Sequence, residues 1–321
     1  MGKLTQEQRR AASRDLTLTY LQNYYVEWRY TKVLTIQKLI NHRYTFYDEL
    51  TDLIKSAGDS IGDATIAQEV HNGLYFDAIA QVIQYIEDLF ALLRASKQPD
   101  FFIKNIITYK AGEVTSWIRS IKPAITVLAP IFHFPDDLKL GIESDQEKFD
   151  VCCKNIETHI EEIIVFFKNY EFFYNQYKHG LAVAMRPFGS VYSKEMVAKD
   201  KTGEIAPFLA VYDNMNLSAG FKKGTARTTQ GIMMPGLTDN VAPYLSKLAE
   251  ENNYLRFVPP PDFPTFNMDL LVKKAALICN CIRLFMFNYA NQLQSDGKTF
   301  QFRLPNEDFS KATQFTFQKG D

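Results

Sequence analysis

One stretch constrains the fold more than any other. From Phe149 to Leu181 the chain reads FDVCCKNIETHIEEIIVFFKNYEFFYNQYKHGL, with no glycine or proline before Gly180. Apolar or aromatic residues recur at Phe149, Cys152, Cys153, Ile156, Ile160, Ile163, Ile164, Phe167, Tyr170, Tyr174, Tyr177 and Leu181. That spacing predicts a helix with one core-facing stripe. At about 1.5 Å per residue it spans roughly 50 Å. Gly180 is the expected stop, because glycine takes the left-handed C-terminal conformation without steric cost. Lys178 and His179 suit the negative end of the helix dipole. At the other end, Asp145, or Ser144 with Glu147 as a capping box, is the expected cap.

A second stripe runs nearly opposite the first, through Lys168, Phe172, Asn175 and His179 at i, i+4, i+7 and i+11. An aromatic, an amide and an imidazole in one line suit a face covered by another element or by a second subunit. A solvated face with one exposed Phe is the plainer alternative.

The chain before this stretch also reads as helix. Residues 5 to 55 contain no glycine or proline and predict one or two helices, begun by Thr5 with Glu7 and Gln8. Residues 59 to 97 predict a second long helix with Asp63 as N-cap. Its apolar residues lie on most sides, so it is expected to be surrounded by other elements. One polar line, Asp77, Gln81, Gln84 and Asp88, is expected at an exposed edge; facing the central helix instead, it would orient Lys178 or His179. Pro99 opens a third helical segment that ends before Pro123, and residues 123 to 143, with Pro130 and Pro135, read as a loop.

After Gly180 the character changes. Prolines and glycines recur from 181 to 267. Residues 182 to 198 and 204 to 212 read as strands around a turn at Asp200-Lys-Thr-Gly203. The run Gly220-Phe-Lys-Lys-Gly-Thr-Ala-Arg227 holds three cations and no acid. It makes Lys222, Lys223 and Arg227 candidates for nucleic-acid or anion binding, although it lacks the order of a P-loop. A surface loop is the plainer reading. Residues 267 to 294 return to a helical pattern, and the tail carries two alternating runs, 298 to 304 and 313 to 318, expected to pair with each other or with the earlier hairpin. The fold class is therefore mainly α, a long-helix bundle with a smaller β-rich segment inserted before the last long helix, α+β overall. The expected organisation is a bundle over 1–182, an irregular β-rich insertion over 183–265, and a helix over 266–321 that rejoins the bundle and ends in a hairpin.

Composition bounds the function. The chain has 321 residues, 46% of them hydrophobic, and a formal net charge of −1. That argues against a surface built throughout for nucleic acid and leaves room for a local basic patch. The 25 Phe and 17 Tyr at helical spacing indicate well-filled helix contacts. Cys152, Cys153, Cys279 and Cys281 lack CxxC spacing and sit in apolar helical runs, so reduced, buried thiols and a cytoplasmic protein are expected. No signal peptide and no membrane span is expected. The five histidines form neither His–x3–His nor Glu–x2–His pairs, so no metal site and no cofactor is expected. No GxSxG, GxGxxG or catalytic Cys signature occurs.

One motif carries chemistry. Tyr174-Asn-Gln-Tyr-Lys-His179, at the end of a long helix in a bundle, resembles the end of the Arg-polar-x3-His motif of the HEPN superfamily. Catalytic members cut RNA without metal, with the Arg and His meeting across a dimer interface. His179 matches the His and Asn175 the polar position; Tyr174 stands where the Arg is expected, preceded by Phe172 and Phe173. Metal-free cleavage needs a proton acceptor for the 2′-OH and a cation for the phosphorane charge. His179 suits the first role, and Tyr174 is no cation. Lys178 is adjacent but points about 100° away around the helix. The resemblance thus implies a noncatalytic interaction or nucleic-acid-binding protein, of a defence or toxin–antitoxin type, with an RNA or protein partner. A metal-independent ribonuclease using His179, Asn175 and Lys178 at a homodimer interface is the alternative.

Overall fold

The structure is a computed structural model that describes residues 5–57, 63–140, 143–178, 183–184, 210–211, 268–295 and 299–318. These residues are mainly helical, with a small antiparallel hairpin after the last long helix. The chain divides into two compact units. One comprises Met1–Thr31, Val82–Asn169 and Lys273–Asp321, and the other Lys32–Gln81 and Tyr170–Val272.

The first unit opens with α1 (Gln6–Asn23), held at its start by a reciprocal capping box. The Thr5 hydroxyl accepts from the Gln8 N–H at 3.2 Å, and the Gln8 side chain accepts from the Thr5 N–H at 2.9 Å. The chain then turns and enters α2 (Trp28–Asn41), followed by α3 (Arg43–Ser56). One or two helices were expected here, and three form. The first break has no glycine or proline; tertiary bonds hold it. The Val26 carbonyl accepts from the Tyr85 hydroxyl at 2.5 Å, and Arg29 bonds Asp88 and Gln84. The inward face of α1 carries Thr17 and Leu21, both buried, while Leu16 is exposed; Thr17 turns its hydroxyl onto the Ser13 carbonyl.

The helix α4 (Asp63–Ser96) is the long second helix of the sequence reading. Asp63 is its first residue rather than its cap. Val82, Ile83, Ile86, Leu89, Phe90, Leu92 and Leu93 are all buried, as the all-round apolar pattern predicts. Gln84 and Asp88 do not form an exposed edge: both take hydrogen bonds from Arg29, whose side chain is 19% exposed against 22% for Asp88. The expected third helix is a 3-10 turn (Pro99–Phe101), α5 (Phe102–Ile107) and α6 (Ala111–Ser120). Here α1 packs on the 3-10 turn, where Ser13 donates to the Asp100 carbonyl at 2.9 Å and Tyr20 meets Phe102 edge-on.

The expected loop over 123–143 contains α7 (Ile125–Phe132), with Pro130 inside it. Pro130 forfeits one bond near the end of this short helix, and the burial of Leu128, Ala129, Ile131 and Phe132 outweighs that loss. His133 then closes the helix in the left-handed region at φ 57°.

The central helix is α8 (Glu143–Lys178). Ser144 and Asp145 lie within its first turn, not at a cap, where Asp145 suits the positive end of the dipole. Of the expected core stripe, Phe149, Cys152, Cys153, Ile156, Ile160, Ile163, Ile164, Phe167 and Tyr174 are buried and Tyr170 is half-buried; the Tyr177 side chain and Leu181 lie outside the description. The expected stop at Gly180 lies outside the described residues. Short strands β1 (Val183–Ala184) and β2 (Ala210–Val211) pair antiparallel, Val183 opposite Val211.

The last long helix is α9 (Met268–Gln294). It is followed by β3 (Thr299–Pro305) and β4 (Ala312–Gln318), which pair with each other from Thr299↔Gln318 to Pro305↔Ala312. The inner face of this hairpin seats Phe302 and Phe315 against Phe149 at ring separations of 5.8 and 5.6 Å. All four cysteines are free and buried. In the second unit, Val33, Ile36, Ile40, Phe76, Ile79 and Leu271 are buried. No helix among the described residues is long and apolar enough to cross a membrane.

Candidate functional site

Asn175 and Lys178 lie in the last turns of α8, on a stretch whose side chains fall outside the description. His179, Lys222, Lys223 and Arg227 lie outside the described residues altogether. Tyr174, which stands where the HEPN-like motif has Arg, is buried at 4% exposure. Of the second stripe on this helix, Lys168 is exposed.

The described residues do bring one set of cations together. In the first unit, α9 and the β3–β4 hairpin enclose a cleft of about 450 Å³. Arg283 lines it from the helix, Arg303 from β3 and Lys311 from the hairpin loop, with Asn280, Ser310 and Gln314 beside them. No carboxylate lines it among the described residues.

Strand alternation places Arg303. Phe302 and Leu304 point inward and are fully buried, so Arg303 between them points outward. Its register partner is Gln314, whose side-chain oxygen accepts from Nε and Nη2 of Arg303 at 3.2 Å each. The guanidinium carbon sits 3.9 Å from the centroid of the Phe287 ring. Cation–π contact and a bidentate amide bond together fix the plane of the group.

The backbone beneath it is also held. Asn288, 1% exposed, accepts from the Arg303 N–H at 2.6 Å and donates to the Arg303 carbonyl at 2.9 Å. Its amide nitrogen donates as well to the Phe132 carbonyl at 3.0 Å. One buried side chain therefore satisfies three main-chain groups and ties α7, α9 and β3 together.

Arg283 is half exposed and paired with Glu27 at 2.5 Å. The bond from Arg283 holds the Glu27 carboxyl below its ordinary range. Its Nη1 donates to the Asn280 oxygen at 3.2 Å, and the Asn280 amide donates to the Phe309 carbonyl at 3.1 Å. Arg283 is thus tethered and partly neutralised; Arg303 bonds the neutral Gln314, and Lys311 lies in the field of the Asp308 carboxylate. The loop that bears Lys311 is ordered by its own polar groups. The Asp308 carboxylate accepts from the Ser310 N–H at 3.1 Å, and the Lys311 N–H donates to the Asp308 carbonyl at 3.0 Å. Phe309 packs edge-on against His159 at 4.3 Å. Burial pushes the His159 imidazole below its ordinary value, and behind it Lys274, itself buried, pairs with Glu162.

Beside the apolar Leu284, Phe309 and Ala312, this lining offers guanidinium, ammonium, amide and hydroxyl groups. Such a set recognises anions, phosphate above all. A second cleft of about 260 Å³ lies by the end of α4, where Arg94 pairs with Glu113 at 2.6 Å and Lys97, also in the lining, sits over the Trp117 ring. Unlike the first cleft, it carries a carboxylate in its lining.

Sequence reasoning missed Arg283, Arg303 and Lys311 because they are dispersed among acidic and neutral residues. The alternating run in β3 marks Arg303 as outward-facing. Only the hairpin register and the packing of α9 show that the three meet. Compared with protein-family models, with curated proteins and with solved structures, the chain matches none.

Proposed function

We propose that this protein binds nucleic acid without cutting it, as an interaction protein of the noncatalytic HEPN-like kind and of a defence or toxin–antitoxin type. The cleft between α9 and the β3–β4 hairpin contacts the phosphates. One observation carries the reading: Arg303, its plane held by Phe287 and Gln314, shares a cleft with Lys311 and Arg283, and no described carboxylate lines it. With a net charge of −1 on the whole chain, attraction to a polyanion has to be local, and a fixed cluster of this kind supplies it. The described lining of the cleft holds no histidine, cysteine or carboxylate, so the cleft suits binding rather than proton transfer. The buried Tyr174 in the place of the motif's Arg supports the noncatalytic form.

The test is a gel-shift and integrity assay on one sample, with labelled single-stranded RNA and EDTA present. The RNA is expected to be retarded, to remain full length, and to behave identically with His179→Ala. Failure to retard RNA at low salt contradicts the proposal. Cleavage by the wild type but not by His179→Ala would establish the ribonuclease reading in its place.

A further inference from the structure

Arg303 does more than supply charge. Its guanidinium lies over Phe287 on one side, 3.9 Å from the ring centroid. Gln314 pins Nε and Nη2 in that plane. The residue is exposed and lines the cleft, whose lining does not include Phe287, so the cleft meets the guanidinium away from that ring. A flat, rigid, cationic surface is what an unpaired base stacks upon. The backbone clamp from Asn288 keeps that surface in place, which lowers the ordering cost of binding.

We propose that the cleft takes one nucleotide of a single strand, with its base stacked on the outer face of the Arg303 guanidinium. Lys311 and Arg283 lie to hand for the adjoining phosphates. This rests on the nucleic-acid reading above and narrows its substrate. A volume of about 450 Å³ is within the range for ligand pockets and suits one extruded nucleotide. Duplex bases are stacked on each other and present no free face. Asn280, Ser310 and Gln314 rim the cleft and offer hydrogen bonds to a base edge or sugar.

The experiment is fluorescence anisotropy on the full chain. It uses labelled single-stranded RNA, single-stranded DNA of the same sequence, and the matching RNA duplex, each about 15 nucleotides long, within the range of single-strand site sizes. The variants are Arg303→Lys, which keeps the charge and removes the plane, and Lys311→Ala, which removes a charge and leaves the plane. Melting of each variant by circular dichroism confirms the fold. The wild type is expected to prefer both single strands to the duplex by roughly tenfold. Arg303→Lys should lose that preference while its duplex binding holds. Lys311→Ala should weaken single strand and duplex alike. Equal binding of single strand and duplex by the wild type, or an undiminished preference in a folded Arg303→Lys, overturns the stacking proposal and leaves the nucleic-acid reading standing. Binding of none of the three probes overturns both.

Discussion

Asn288 on α9 grips the backbone of Arg303 on β3 from both sides, accepting from its N–H at 2.6 Å and donating to its carbonyl at 2.9 Å. The same amide reaches the Phe132 carbonyl, so the outward cation of the cleft rests on a buried polar group that makes three hydrogen bonds. A residue whose importance is structural thereby sets the position of a residue whose importance is chemical.

Removing that amide orphans two carbonyls and one N–H. We expect Asn288→Ala to destabilise the protein by about 3 kcal/mol, since each stranded buried group costs its desolvation. Urea unfolding read by circular dichroism measures it. A loss below about 1 kcal/mol would mean that water reaches and satisfies these groups.

The Arg29–Asp88 pair gives a second stability test. Both side chains are mostly covered. Burial keeps the Asp88 carboxyl above its ordinary value despite the arginine beside it. Arg29→Met leaves a covered carboxylate without its partner, and we expect a loss of about 3 kcal/mol, near the lower end for broken buried pairs because the site is not wholly dry. The double variant Arg29→Met, Asp88→Leu should recover most of it. Chemical denaturation of the three proteins decides the matter; no recovery in the double variant would show that packing, not charge, sets the loss.

His133 sets a pH dependence. Burial pushes its imidazole down to about 4 from an ordinary 6.5, against a raising contribution from the Gln292 bond. The unfolded chain therefore binds a proton that the folded chain refuses. Stability is full above about pH 6.5 and falls as pH drops from there towards 4. The loss attributable to this group approaches about 3 kcal/mol at the acid end of the window. His133→Asn keeps a residue that tolerates the left-handed φ and has no charge to gain. Melting temperatures of the two proteins should converge as pH falls from 7 to 4.5, and parallel curves would contradict the assignment.

Much of the fold was legible in the chain itself. The stripe from Phe149 to Phe167 is long, regular and uninterrupted, and helical period alone finds it. The hairpin follows from the alternation Phe300, Phe302, Leu304 and its mirror in β4. What escaped depends on contacts distant in sequence. The break after Asn23 has no local breaker and is held by Tyr85 and Arg29. The helix over Ile125–Phe132 survives Pro130 because its apolar residues are buried. Gln84 and Asp88 look like a solvated line until Arg29 meets them. The cleft was illegible for the same reason: Arg283, Arg303 and Lys311 are neighbours only after strand pairing. The HEPN-like resemblance pointed to Asn175, whose side chain is not described, and to His179, which lies outside the described residues.

If Lys311 meets a phosphate, it contributes to counterion release. We expect Lys311→Ala to lower the slope of log K against log salt by about 0.7 for single-stranded RNA. An unchanged slope with unchanged affinity would remove Lys311 from the binding surface.

The most direct measurement is the affinity of a folded Arg303→Glu, Lys311→Glu double variant for single-stranded RNA at low salt, set beside the wild type. Reversing both cations should lower affinity at least tenfold, with the melting temperature little changed because both side chains are exposed. Wild-type affinity in the double variant would place the interaction elsewhere on the protein and contradict the assignment of this cleft.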